Sequence, residues 1–276
     1  MKKIISFLCF AAVLLSGCSN GKYNEVSSAS VEKSDISAGN ASNIASNNSE
    51  NSAVNVLINQ KSYDVNGTLE FDCQFEKMDS IDLIRIGQLT KLKKLTLYEC
   101  DVTEISDFSG LTDLEELNLM GNNIENISGL NSLSNLKYIN LNFNKITDIE
   151  PLSSLEQLDK ADFVGNEISD ITPLKNLTHL RVLNLNGNHV SDISVISNLT
   201  GLEELNLGDN IDITNIGSLK GLSKLTWLNL SNSQIADITP LLKLNNLTYL
   251  NLEGVNLPKK DLERLSSSLP NCDIKI

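Results

Sequence analysis

The chain has 276 residues, of which 22 are Lys or Arg and 35 are Asp or Glu, so that its formal net charge at pH 7 is −13. A polyanion of this kind is repelled by nucleic-acid backbones and by anionic lipid headgroups, so we expect no nucleic-acid partner. The length suffices for one or two ordinary domains.

Residues 1–17 have the features of an export signal. Lys2 and Lys3 give a basic start, and residues 4–15 form an apolar run that is too short to span a bilayer comfortably. The tetrapeptide L-S-G-C that ends at Cys18 resembles the lipobox of bacterial lipoproteins. This resemblance implies that cleavage leaves Cys18 as the first residue and that its fatty acyl chains hold the protein at the membrane. The alternative is an ordinary secretory signal followed by a chance cysteine.

Residues 18–52 are predicted to be the lipidated cysteine and a disordered tether. Ser, Asn, Ala and Gly dominate after Cys18, and no large apolar cluster offsets the entropy lost on ordering. About 34 residues of such coil have an r.m.s. reach of roughly 30 to 35 Å. We therefore expect the folded part to face outside the cell from the outer leaflet of the plasma membrane, or from an outer membrane if the cell has one.

Residues 53–88 are predicted to form an N-terminal cap with an irregular first repeat. The stretch GTLEFDCQF indicates a strand, and SIDLIRIGQL indicates a short helix. Cys73 in this segment and Cys100 in the next fall at similar places of successive repeats. They could form a disulfide or remain buried thiols that pack as small hydrophobic groups. With Cys272 the number is odd, so full internal pairing is excluded.

Residues 89–265 divide into eight units of the pattern L-x-x-L-x-x-L-x-L-x-x-N-x-I-x-x-I-x-x-L-x-x. Apolar residues at positions 7 and 9, between polar residues at positions 6, 8 and 10, predict a half-buried strand. One unit cannot bury this face alone, so the units must stack. Each unit has 22 residues except one of 23, and the units begin at Leu89, Leu111, Leu133, Leu155, Leu177, Leu199, Leu222 and Leu244.

The second half of each unit is predicted to turn the chain away from the strand. An asparagine recurs at position 12, and its amide can pair with backbone groups left open at the turn, so that repeated amides form a ladder. An Asp-Ile pair follows and caps a tight turn, often with a proline after it, which favours a short 3₁₀ segment. The two columns are Asn122, Asn144, Asn166, Asn188 and Asn210, and Asp148, Asp170, Asp192 and Asp237.

This 22-residue unit, with its asparagine at position 12 and I-x-D-I beyond, resembles the leucine-rich repeats of bacterial internalin-type proteins. The resemblance covers residues 89 to about 276. It implies an α/β solenoid, a right-handed leucine-rich-repeat horseshoe with a parallel β-sheet on the concave face and 3₁₀ or short turns on the convex face. Residues 266–276 are predicted to be the capping strand at the C-terminal end.

The variable positions 6, 8 and 10 are predicted to point out of the concave sheet. Aromatic and apolar residues gather there, as is typical of protein interfaces, although the β-propensity of aromatic residues alone could also place them on strands. The flanking charges Lys94, Glu116, Lys160 and Glu204 would set the orientation of a partner. The nearly uniform asparagines at position 8 are interpreted as filler that pairs laterally. The predicted partner-binding residues are Tyr98, Met120, Tyr138, Phe143, Val164, Trp227 and Tyr249.

Motifs for catalysis are missing from the sequence, and we predict no catalytic residue, no bound metal and no cofactor. His179 and His189 have no ligand partners at a suitable spacing, and the recurring aspartates are assigned to turns. The leading hypothesis is a surface-anchored, monomeric lipoprotein that binds an extracellular or envelope protein, in adhesion or another host or cell-surface interaction. The alternatives are a glycan-binding protein, in which Trp227 and Tyr249 stack on sugars, and an envelope scaffold without a soluble ligand.

Overall fold

A computed structural model describes residues 54–276. The predicted signal peptide, the predicted lipidation site Cys18 and the predicted tether lie outside the described residues. The described part is built around one parallel sheet of ten strands, together with a separate two-stranded hairpin at its N-terminal end. In this part of the chain no helix is long and apolar enough to cross a membrane.

The N-terminal cap begins with a β-hairpin that the sequence patterns do not predict. Strand β1 (Asn55–Ile58) pairs antiparallel with β2 (Lys61–Asp64). The two loop residues, Asn59 and Gln60, have positive φ values of 48° and 64°. Such two-residue loops match the right-handed twist of the flanking strands, so the turn geometry fixes the register of the hairpin.

The strand and helix predicted for the rest of the cap are both present. Strand β3 (Glu70–Gln74) is regular rather than irregular, and it pairs in parallel with the next strand over five residues. Helix α1 (Ser80–Gly87) begins after Asp79, whose side chain accepts a hydrogen bond from the Asp82 amide at 2.8 Å. The cap therefore extends the repeat sheet by one strand and closes the core at this end.

Each of the eight units contributes one parallel strand, which begins at position 6 of the unit. Each strand hydrogen-bonds to the strands that precede and follow it in the sequence, so the order of strands in the sheet is the order in the chain. The predicted leucine-rich-repeat solenoid is confirmed. The eight strands are β4 (Lys94–Tyr98), β5 (Glu116–Asn118), β6 (Tyr138–Asn140), β7 (Lys160–Asp162), β8 (Val182–Asn184), β9 (Glu204–Asn206), β10 (Trp227–Asn229) and β11 (Tyr249–Asn251).

The core lies between this sheet and the outer turns. The leucines at positions 1, 4, 7 and 9 are buried, and so are the isoleucines of the second half of each unit except Ile211. Burial of a leucine side chain contributes about 1.5 to 3 kcal/mol, so the repeated columns are the main source of stability. In the fourth unit the small Ala161 at position 7 is offset by the large Phe163 at position 9, and both are fully buried. The volume of the layer is thereby kept.

The convex side consists of short 3₁₀ segments, as the spacing predicts. Asp148 accepts a hydrogen bond from the Glu150 amide at 2.8 Å, and the other three aspartates of this column make the same bond two residues ahead. Pro151 and Pro173 are the second residues of their segments. In the described residues the segments are Ser106–Gly110, Ser128–Leu130, Glu150–Leu152, Thr172–Asn176, Ser194–Asn198, Gly217–Gly221 and Leu241–Lys243.

The predicted asparagine ladder is present inside the turns of the second to sixth units. Asn188, for example, accepts a hydrogen bond from the Ile168 amide at 3.0 Å and donates to the carbonyl oxygens of Phe163 at 2.8 Å and Leu185 at 3.0 Å. Each amide therefore joins its own unit to the preceding one. Ser233 replaces the asparagine in the seventh unit, and its hydroxyl donates only to the Leu230 carbonyl.

A column of alternating charge runs along the flank of the sheet at position 5. Glu115 lies between Lys93 at 3.0 Å and Lys137 at 2.7 Å, and Arg181 pairs with Asp159 at 2.6 Å. Hydrogen bonds from Lys137 and Lys93 lower the pKa of Glu115 to about 2. Exposed pairs of this kind stabilise a fold only weakly. The order of charges from one unit to the next is Lys93, Glu115, Lys137, Asp159, Arg181 and Glu203.

The C-terminal end is closed by a helix and a strand. Helix α2 (Lys259–Ser268) begins after Pro258 and buries Leu265, and it therefore crosses the boundary predicted at residue 265. Strand β12 (Asp273–Lys275) pairs in parallel with β11. The last strand thus continues the concave sheet beyond the eighth repeat.

Candidate functional site

Two predicted anchors form a stacked aromatic pair at the C-terminal half of the concave face. Trp227 and Tyr249 begin neighbouring strands and are paired in register. Their ring centroids are 5.3 Å apart and their planes are inclined by 7°. Both side chains are half-buried, so part of each ring remains accessible to solvent. We call Trp227 and Tyr249 the aromatic platform.

A second aromatic contact lies at the N-terminal half, and it includes a residue that the sequence analysis missed. Tyr98 at the end of β4 meets Phe75 edge to face, with ring centroids 4.9 Å apart. Phe75 is 66% exposed. It follows β3 directly, and the register places Gln74 opposite Tyr98. Recognising β3 as a full strand of the repeat sheet would have indicated Phe75. Met120 is the next residue in the same column and is also half-buried.

Phe143 occupies a left-handed backbone position at the exit of its strand. Its φ is 57°, which is uncommon for a bulky residue, and its ring covers Gly165 of the next unit. A methyl group built on Gly165 would lie 2.8 Å from Cδ1 of that ring. Position 11 has positive φ in all eight units, at Glu99, Gly121, Phe143, Gly165, Gly187, Asp209, Asn232 and Gly254. The recurring glycines were a sequence signal for this column.

Tyr138 differs from the other predicted anchors in that burial and a hydrogen bond to Asp162 hold its hydroxyl group. Burial is the main cause that raises its pKa to about 12, and the nearby Asp162 carboxylate adds to this effect. Burial also raises the pKa of Asp162, whose carboxylate is hydrogen-bonded to Tyr138 and Asn184. Val164 is half-buried, and its amide donates to the Asn142 side chain at 2.6 Å. Tyr138 therefore supports the face with its hydroxyl and offers mainly part of its ring.

The asparagines at position 8 turn their side-chain oxygens back to their own strands. Asn118 accepts from the Met120 amide at 3.1 Å, and Asn229 accepts from the Ser231 amide at 2.9 Å. Asn229 also donates to Asn206 on the neighbouring strand at 2.9 Å. These bonds match the interpretation of the column as filler, because the side-chain oxygens are already used within the protein.

The three described cysteines are free thiols. Cys73 and Cys100 are buried, and the Cys100 thiol donates to the Cys73 carbonyl oxygen at 3.2 Å. Burial is the main cause that raises the pKa of Cys73 to about 12. Cys272 is half-buried, and burial raises its pKa as well. Cys73 is paired in register with Leu97, so it takes the place of a position 9 leucine, whereas Cys100 takes the place of a ladder asparagine. The prediction that the two cysteines fall at similar places of successive repeats is therefore wrong, and each thiol packs as a buried hydrophobic group.

Two shallow cavities lie away from the predicted anchors. One of about 310 Å³ is lined by the flank charges around Glu115, and one of about 300 Å³ lies on helix α2. Within residues 54–276 no group of three His, Cys, Asp or Glu side chains could hold a metal ion. His179 and His189 are both exposed, and the His179 ring contacts the Glu156 carbonyl oxygen at 3.0 Å.

Known proteins with this repeat identify the family. The sequence profile of the family described as "Leucine-rich repeat region" matches residues 44–271. The crystal structure of internalin C2 from Listeria monocytogenes str. 4b F2365 is 30% identical over 68% of this chain and 83% of that one, with a TM-score of 0.63. The chain belongs to the internalin-type leucine-rich-repeat family of bacteria.

Two further internalins of Listeria monocytogenes are similar to this internalin-type chain. InlF of str. 4b F2365 is 36% identical with a TM-score of 0.69, and the match covers 72% of this chain but only 58% of InlF. The functional domain of InlJ, which includes a cysteine ladder, is 27% identical with a TM-score of 0.54, over 72% of this chain and 47% of that one. No curated protein matches significantly in sequence. Internalin-type repeats are typically binding scaffolds for protein–protein interaction or adhesion rather than enzymes.

Proposed function

We propose that this internalin-type protein is a surface-anchored lipoprotein that binds an extracellular or envelope protein through the concave face of its repeats. The observation that carries the proposal is the aromatic platform, because a stacked Trp–Tyr pair on an open sheet face is the kind of anchor that dominates binding energy in protein interfaces. The anchor Phe75, which lies against Tyr98, extends the face at the other end.

The chemistry of the face favours a protein over a glycan. Sugar recognition combines an aromatic ring with side-chain amides that are free to bind hydroxyl groups. At position 8 the amide oxygens instead accept hydrogen bonds from backbone amides, for example in Asn118, Asn229 and Asn251. Half-buried apolar side chains such as Met120 and Val164 add contact area that suits an apolar protein surface.

The anchoring part of the proposal rests on the amino-acid sequence. The L-S-G-C motif follows a basic start and an apolar run, and we propose that Cys18 carries acyl chains that hold the protein at the outer surface of a membrane. The residues between Cys18 and the repeats would act as a spacer. Metabolic labelling with a fatty acid should mark the wild-type chain, and Cys18→Ser should lose both the label and the membrane association.

The binding part is tested with a partner identified by proximity labelling on intact cells and then purified. Trp227→Ala in the full chain should weaken the binding of this partner by about 1 to 3 kcal/mol, as expected for an interface anchor. Lys175→Ala on the convex side is the matched control, since Lys175 is exposed on a 3₁₀ segment far from the sheet face. Circular dichroism checks that both variants are folded. Unchanged affinity in Trp227→Ala would place the binding site elsewhere.

A further inference from the structure

The indole of Trp227 has one face covered by Tyr249 and the other turned along the sheet. The centroid separation of 5.3 Å is close to the spacing of about 4.8 Å between neighbouring strands. Because the two planes are nearly parallel, the rings stack along the direction that leads from strand to strand. The second face of the indole is therefore turned toward β9, where Glu204 is paired in register with Trp227.

Glu204 is a carboxylate without a hydrogen-bond or ion-pair partner among the described residues. It is exposed, and its neighbour on the other side of the same column is the apolar Val182. Within residues 54–276 no hydrogen bond or ion pair reaches the Glu204 side chain. Glu116, another glutamate of this column, is instead paired with Lys94 at 3.1 Å. The charge of Glu204 is thus available to a cation that comes from outside.

At the Tyr249 end of the aromatic platform, the chain itself provides a cation that pairs with a carboxylate. Asp273 is paired in register with Tyr249, as Glu204 is with Trp227. Lys275 forms an ion pair with Asp273 at 2.9 Å. Each end of the platform thus has a carboxylate beside an aromatic ring. At the Tyr249 end the cation belongs to the chain, whereas the Trp227 end provides only the carboxylate.

The surroundings of the platform are acidic. Cations are attracted to such a surface and anions are repelled, so electrostatic complementarity favours a basic partner segment. At the outward positions from β9 to β12 the described residues carry four carboxylates and one cation, namely Glu204, Asp209, Glu253 and Asp273 against Lys275.

We propose that Trp227 and Glu204 form a receptor for an arginine side chain of the protein partner. The guanidinium lies flat on the open face of the indole and donates two parallel hydrogen bonds to the Glu204 carboxylate. A guanidinium is planar and forked, so it can stack and bind a carboxylate at once, whereas a lysine ammonium has no plane to stack. This inference rests on the proposed function, because it names the chemistry that the partner brings to the concave face.

The platform provides its own reporter for the test. Trp227 is the only tryptophan of the chain, so the fluorescence of the full protein in detergent reports directly on its indole. The full protein is titrated at low ionic strength with the peptide acetyl-Gly-Arg-Gly-amide while the tryptophan emission is recorded. Two matched peptides carry citrulline, which has the same shape without the charge, or lysine. The arginine peptide should change the emission and bind about fivefold more tightly than either control peptide, because citrulline lacks the charge and lysine lacks the planar fork of the guanidinium.

Two variants distinguish the effect of the Glu204 carboxylate from that of the overall negative charge of the protein. Glu204→Gln retains the reporter and should weaken the arginine peptide about fivefold or more, because a charge-assisted pair is lost. Glu116→Gln removes the same charge from the same column beside Lys94 and should leave the affinity unchanged. Equal binding of arginine and citrulline peptides, equal binding of arginine and lysine peptides, or undiminished binding by Glu204→Gln would overturn the inference.

The outcomes also separate this inference from the proposed function. If the arginine peptide leaves the emission unchanged while Trp227→Ala still loses the purified partner, the arginine receptor is wrong and the concave-face function stands. If the peptide binds as described but Trp227→Ala leaves partner binding intact, the proposed use of this face is wrong.

Discussion

Removal of one ladder asparagine should destabilise the repeats far more than removal of an asparagine from the strand. Asn188 is 3% exposed and forms three hydrogen bonds of 2.8 to 3.0 Å with backbone groups of two units. In Asn188→Ala one buried amide and two buried carbonyl oxygens lose this partner. At roughly 1 to 3 kcal/mol for each group, less where water enters, we expect the free energy of unfolding to fall by about 3 to 5 kcal/mol.

Two further variants calibrate this value. In Asn188→Ser the free energy of unfolding should fall by about 2 to 3 kcal/mol, because a hydroxyl can retain one hydrogen bond, as Ser233 does with the Leu230 carbonyl. In Asn118→Ala the free energy of unfolding should fall by less than about 1 kcal/mol, since Asn118 accepts a single hydrogen bond at a half-buried position.

Guanidinium titrations followed by circular dichroism and by the fluorescence of Trp227 provide the measurement. Coincident transitions would justify a single free energy for each variant. A loss in Asn188→Ala no larger than that in Asn118→Ala would refute the reasoning, because it would show that the ladder bonds contribute no more than solvated ones.

Three other measurements test glycine, ionisation and thiol chemistry. Gly165→Ala should lower the free energy of unfolding by about 2 to 3 kcal/mol, because φ is +65° and an added methyl group would lie 2.8 Å from a phenyl ring. Gly187→Ala should lower it by only about 1 kcal/mol, because φ is +66° but the nearest atoms would lie 3.7 Å away. Equal losses in denaturant titrations would contradict the steric account. The pKa of Glu115 is lowered to about 2, so its stabilising contribution should be present above the unfolded pKa of about 4.3 and disappear as the pH falls from there through 2, and an NMR titration of its carboxyl with a midpoint near 4 would contradict this. Iodoacetamide at pH 8 should modify the half-buried Cys272 before the buried Cys73, whose pKa is raised to about 12, and equal rates by mass spectrometry would contradict this order.

The repeat architecture could be predicted from the sequence because its cause is periodic. Residues at positions 7 and 9 are apolar in every unit, and the constant spacing fixes both the strand and the stacking direction. The register then brings Trp227 and Tyr249 side by side, so their neighbourhood was also predictable. The hairpin β1–β2 was not, since it occurs once, and a loop of Asn59 and Gln60 is a weak turn signal.

The details of the concave face depend on three-dimensional surroundings that no single column reveals. Phe75 becomes part of the face only because β3 pairs in parallel with β4. The partial withdrawal of Tyr138 depends on how deeply Asp162 is buried, which follows from packing rather than from spacing. The environment of Glu204, in contrast, could be predicted from its column, because the residue one unit earlier is the apolar Val182.

The alternating charges at position 5 bear on how this protein can gain or lose repeats. The signs change at every step from Lys93 to Glu203, so a deletion or duplication of one unit within this stretch would bring like charges together. A change by two units would preserve the alternation. The flank therefore favours growth and shortening of the solenoid in pairs, and it opposes misaligned exchange of single units between copies of the sequence.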